Sequence, residues 1–161
     1  MDTKELFRAY KELFAAAEHI ADDPLLVGAD RTQVDWTLAH IALSDRALVD
    51  VGHAVLSGED AVLDNAQAMS KSEIGRVISS TSYGERVEMV RRNAAALIDV
   101  LDISPEETSD ATVRARLVDR EGKVVFDEDL KWGDVICMRA TEHLPGHTAA
   151  LRCWAREQLH C

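Results

Sequence analysis

The chain has 161 residues, 47% of them hydrophobic and 29% charged, with a formal net charge of −11. That length supports one domain, spanning 1–161, with a real core, and is short for two. An acidic chain of this size is expected to be a poor binder of nucleic acid or an anionic membrane surface, because both require a basic patch, and no apolar run approaches the length of a membrane span.

The N-terminus, MDTKELFRAY, is charged and has no signal-peptide core, so a cytoplasmic protein is expected. The three cysteines, Cys137, Cys153 and Cys161, are odd in number and include no C-x-x-C pair, which argues against a disulfide framework. Cys137 and Cys153 read as small buried or half-buried helix residues, and Cys161 as part of a mobile tail.

Residues 3–21 read as an amphipathic helix, with Leu6, Tyr10, Leu13, Phe14, Ala17 and Ala21 at helical spacing. Asp22, Asp23 and Pro24 end it. A second long helix is expected to start after Asp30 or Thr32, where Gln33 or Asp35 completes a capping box, and to stop at Gly58. On its wheel Trp36, Leu43, Ala47 and Val51 lie within about 60° of His40, a mostly apolar face on which His40 is the polar exception. Residues 59–81 read as a short helical piece and a loop. A third long helix fits 83–101, opened by a Ser82–Glu85 capping box and carrying Val87, Val90, Ala94, Leu97 and Leu101.

Beyond a polar, turn-like stretch at 104–110 the period changes. Val113, Ala115 and Leu117 alternate with Thr112, Arg114 and Arg116, Asp119–Gly122 form a turn, and 123–126 return as a second strand. Residues 134–158 then read as the last long helix. Four helices with a small β-hairpin before the last one make a mainly α chain, for which an antiparallel four-helix bundle is the natural packing.

The last helix carries His143-Leu144-Pro145-Gly146-His147. Two histidines four residues apart project from nearly the same helix face, offset by roughly 40°. Such a pair can chelate a divalent ion, and a third imidazole would give three protein ligands with one open position, the layout of a catalytic site. His40 is the candidate third ligand, provided the chain folds it back onto the pair. His53 lies on a different face at the surface, His19 suits the end of the first helix, and His160 lies in the tail. Pro145 removes a helical hydrogen bond and clashes with the Thr141 carbonyl, at a cost of about 3 kcal/mol, and Gly146 weakens the same spot. The expected result is a functional kink that re-aims the imidazoles or a break into two shorter helices.

Asp35-Trp36-Thr37-Leu38-Ala39-His40 resembles the first histidine motif of the DinB-like superfamily. Residues 139–148, Arg-Ala-Thr-Glu-His-Leu-Pro-Gly-His-Thr, are similar to the H-x-x-x-H helix of that superfamily. The hairpin followed by Lys131-Trp132-Gly133-Asp134 resembles the mycothiol-dependent maleylpyruvate isomerase branch. The resemblance spans nearly the whole chain. It implies a four-helix bundle holding a divalent ion, zinc or nickel, on His40, His143 and His147, and a homodimer as a common state. Many members are thiol S-transferases that use mycothiol, bacillithiol or glutathione, and others are described as metal-dependent hydrolases. The isomerase type carries a second, C-terminal domain, whereas this chain ends soon after its last helix, so maleylpyruvate isomerisation itself is not expected.

These features imply an enzyme that conjugates a mycothiol-like thiol to a small electrophile, because a thiol coordinated to a cation ionises readily. The same triad would serve a hydrolase, isomerase or cyclase if water took the open position, and a non-catalytic ligand-binding or dimerisation bundle is the reading from another class. Around the triad, Arg139, one turn before His143, is placed to hold a substrate carboxylate or to sit solvated on its helix. Ser44, one turn after His40, is placed to orient that imidazole or to pack between helices. Trp36 is placed to wall the pocket or to fill the core.

Overall fold

The computed structural model describes residues 3–21 and 26–157. The expected helix stop at Asp22–Pro24 and the tail residues His160 and Cys161 lie outside the described residues. The chain is mainly helical with one small sheet. Its elements run α1 (Lys4–Ile20), α2 (Gly28–Ser57), β1 (Ala61–Asp64), α3 (Ala66–Met69), α4 (Lys71–Ser80) and α5 (Tyr83–Asp102). A short 3₁₀ turn (Glu106–Asp110) leads to β2 (Thr112–Val118), β3 (Val124–Lys131), α6 (Trp132–Met138), a π-helical turn (Arg139–His143) and α7 (Leu144–Glu157).

The long helices follow from their apolar stripes. In α1, Leu6, Tyr10, Leu13, Ala17 and Ile20 are buried. Helix α2 packs along α5 and α1 along α7, and their buried side chains merge into one core with Trp132 from α6. Two polar anchors lock α2 to α5. The buried Arg86 guanidinium donates to Asp35 at 2.8 Å and to the Thr81 carbonyl at 2.7 Å, and the Asn93 amide donates to the Ala42 carbonyl at 2.8 Å. The helices also approach closely at Gly52, where an added Cβ would lie 2.6 Å from Val100 Cγ1.

The capping box that opens α5 is present, with Ser82 and Glu85 each bonded to the other's backbone. Helix α2 departs from expectation at its start. It begins at Gly28, before either proposed box, and Val27 caps it without a side-chain hydrogen bond. Its end is as expected: Gly58 takes the left-handed conformation and its N–H closes on the Ala54 carbonyl.

The hairpin has grown into a three-stranded sheet in the order β1-β2-β3, because β1, expected as loop or helix, pairs in parallel with β2 from Ala61 opposite Val113. Strand β3 runs antiparallel to β2 as far as Lys131, five residues past the end of the expected return strand. Within β2, Val113 and Ala115 are buried and Leu117 half-buried. The Asp119–Gly122 turn is tied by Asp119 Oδ1, which accepts from the backbone of Glu121 and Lys123. Residues 66–80 are more helical than expected.

From Trp132 to Glu157 the chain stays helical, so Pro145 does not split it. The π turn lies just before the proline, and there the Leu144 N–H reaches the Arg139 carbonyl. The ladder is thus already out of α register where the proline's missing N–H would interrupt it. Cys137 and Cys153 are both exposed, contrary to their reading as buried helix residues. Among the described residues no helix is long and apolar enough to cross a membrane.

Candidate metal centre

Helix α2 supplies His40, and the π turn with α7 supplies His143 and His147. The fold closes the 103-residue gap between the two segments and brings His40 Nε2 within 3.2 Å of His143 Nε2. The ring of His147 completes the triangle, its centroid 5.1 Å from that of His40 and 4.6 Å from that of His143. One ligand nitrogen from each residue lies within 4.8 Å of the others, and among the described residues no cysteine or carboxylate joins the group.

Each imidazole is disposed to be neutral. Burial pushes the His40 pKa down to about 4, assisted by the Arg139 and Arg120 charges. His147 falls to about 3 through burial and the neighbouring His40. His143 lies lower still, through burial and the guanidinium beside it. Neutral imidazole is the form that ligates metal.

The surroundings of the three rings differ. The Nδ1 of His40 meets the Ala68 carbonyl at 2.7 Å. An N–H must lie between them, which leaves Nε2 with its lone pair facing the triad, the usual way a metal-ligating histidine is oriented. The His40 ring also stacks on Trp36, centroids 4.7 Å apart and nearly parallel. Arg120, from the β2–β3 turn, covers Trp36 with its guanidinium carbon 3.8 Å from the ring centroid. Trp36 is therefore half-buried against His40 and is not among the residues that line the cavity beside the triad.

Arg139 matches neither expectation for it. It is 4% exposed, not solvated, and its charge is taken up inside the protein by Asp45, which is 0% exposed. Tyr10 donates to the same carboxylate oxygen at 2.6 Å, so α1, α2 and the π turn meet in a buried Tyr10–Asp45–Arg139 network. Burial raises the Asp45 carboxyl, with Arg139 and the Tyr10 hydroxyl pulling it back. Burial works against the Arg139 charge, but Asp45 and Tyr10 outweigh it and hold its pKa above the ordinary value.

The network reaches the triad through Arg139 Nη1, 2.5 Å from His143 Nδ1. Because arginine only donates, that nitrogen accepts, and His143 carries its proton on Nε2, toward His40. Ser44 donates to the Ile41 carbonyl of its own helix at 3.1 Å and orients no imidazole.

The donor set fits a divalent cation in type and spacing. His40 is already aligned for one. Loading His143 through Nε2 displaces a proton and requires its contact with Arg139 to change. Three residues of the site were not singled out from the sequence: Asp45, Tyr10 and Arg120. For Asp45 a signal existed, since it lies one turn beyond Ile41 and one turn before Leu48, both buried. Arg120, in a polar turn, offered none. Comparison with protein-family models, with curated proteins and with solved structures found no match to this chain.

Proposed function

We propose that this chain is a small metal-dependent thiol S-transferase of DinB-like type, joining a low-molecular-weight thiol such as mycothiol to an electrophilic small molecule. The pairwise packing of α1 with α7 and α2 with α5 supports reading the four long helices as that bundle. The reading rests on one observation: three neutral imidazoles converge beside an apolar cavity with no carboxylate among them.

A divalent zinc or nickel ion bound by His40, His143 and His147 would keep its full charge among neutral ligands and supply a thiolate at neutral pH. The residues contribute position. The Ala68 carbonyl holds the His40 tautomer, Asp45 holds the Arg139 guanidinium beside His143, and Trp36 and the Arg120 guanidinium shield one side from solvent. The thiol proton leaves to solvent, sulfur bonds to the electrophilic carbon, and the displaced group departs with its electron pair. A water-activating hydrolase would profit from an acid or base at the triad, and Asp45 is held behind Arg139. That favours thiol transfer.

The test is metal content by elemental analysis of protein never exposed to chelator or nickel resin, alongside His143→Ala. The expectation is about one ion per chain, lost in the variant with its helical circular dichroism retained, and thiol conjugation of an activated haloarene lost with it. A metal-free protein with undiminished turnover would end the proposal.

A further inference from the structure

A cavity of about 210 Å³ adjoins His40 and His143, between the inner face of the sheet and helices α2 and α6. Leu63, Ala115, Leu117 and Leu130 form its sheet side, and Leu48 and Val135 face them. It is smaller than the roughly 300–1,000 Å³ of sites for drug-sized molecules. Three other polar side chains line it, and each has a partner within the protein. The Asn65 amide is bonded at both ends to the Val118 backbone, at 3.1 and 2.7 Å. The Ser44 hydroxyl donates to Ile41. Arg139 is paired with Asp45.

We infer that the molecule handled at this centre seats an uncharged, apolar body in this cavity, and that no carboxylate or phosphate is anchored there. A charged group entering it would leave water without gaining a partner, since the one cation in the wall already has its anion. Apolar surface entering it gains about fourfold in affinity for each buried methylene. The reacting end of the molecule then lies at the edges of His40 and His143, the two imidazoles in the wall. The inference rests on the histidine triad being the working centre, but its test needs no metal.

The experiment is methyl-labelled NMR of the full chain, treated with chelator and titrated with toluene and, separately, with benzoate. Toluene should give saturable shifts at the methyls of Leu63, Leu117 and Leu130, and benzoate should bind at least about tenfold more weakly. Ala47→Phe, which fills the cavity from α2, should abolish the toluene shifts, and Leu117→Trp should weaken them. The comparison of toluene with benzoate in wild type stands even if either variant fails to fold.

Benzoate binding as well as toluene, or toluene leaving these three methyls unmoved, overturns the inference. Toluene binding, where elemental analysis of protein never exposed to chelator finds no metal, sinks the transferase reading and leaves the apolar cavity standing. Metal without toluene binding does the reverse.

Discussion

Replacing Arg139 by Met tests the buried network directly. The substitution keeps most of the side-chain volume but strands the Asp45 carboxylate, which is 0% exposed and, among the described residues, has no other cation on it. Removing one member of a buried ion pair costs about 3–5 kcal/mol, because the remaining charge stays desolvated. At about 2–4 °C per kcal/mol for a chain of this size, the midpoint of thermal unfolding should fall by about 6–20 °C at neutral pH.

The pH dependence has a definite sign. Burial already raises the Asp45 carboxyl, and loss of Arg139 raises it further. A carboxyl whose folded pKa exceeds its unfolded one stabilises the fold when protonated, and that stability is lost as pH rises through the folded value. The deficit of Arg139→Met relative to wild type should therefore be largest near neutrality and shrink on acidification. Arg139→Met with Asp45→Leu should recover most of the loss, since an apolar replacement of a whole buried pair is often neutral. Calorimetry of the chelator-treated proteins at several pH values decides the matter. A deficit below about 1 kcal/mol at neutral pH, or one that does not narrow in acid, refutes the reasoning.

Three further outcomes are expected. The unfolded chain protonates its histidines from about pH 6.5 downward, whereas folded His40 resists to about 4 and His147 to about 3. Metal-free protein should thus lose stability progressively as pH falls through that window, and His147→Gln should flatten the urea-midpoint profile; an unchanged slope counts against buried neutral rings. Gly52→Ala places a methyl against Val100 Cγ1 and should destabilise by about 1–3 kcal/mol in urea, with Val100→Ala relieving it; a neutral Gly52→Ala contradicts the close approach of α2 and α5. Ser82→Ala removes the cap of α5 and should cost about 1 kcal/mol, and a change near zero means that the box carries no weight.

How much was legible in the sequence depended on the range over which each signal acts. The start of α5 was readable because its capping box lies within four residues. The end of α2 was readable from Gly58. The two histidine segments were readable as chemistry, but nothing local joined His40 to a pair more than a hundred residues away. Strand β1 was missed because Ala61–Asp64 is short and exists through parallel pairing with a strand some fifty residues later. Arg139 was located but misjudged, because its partner Asp45 looks like any helix aspartate until Tyr10 and Arg139 close around it. Cys137 and Cys153 read as buried from a general preference of the residue type, which their place on the helix surface overrode.

The π turn has a consequence for helical phase. A π turn holds one more residue than the α turn it replaces, so everything after it is rotated by about 100° relative to an uninterrupted α-helix. Arg139 enters the turn in step with α6, while His147 and the α7 face against α1 follow the later phase. Deleting a single exposed residue such as Glu142 would restore the α spacing and leave all three histidines, Asp45 and Arg139 in the chain. The phase of α7 would be kept, because the deletion removes the residue that the wider turn absorbs, and what would change is the spacing within the turn that sets Arg139 against His143. The turn is a one-residue offset that keeps two stretches of a single helix each facing its own partner.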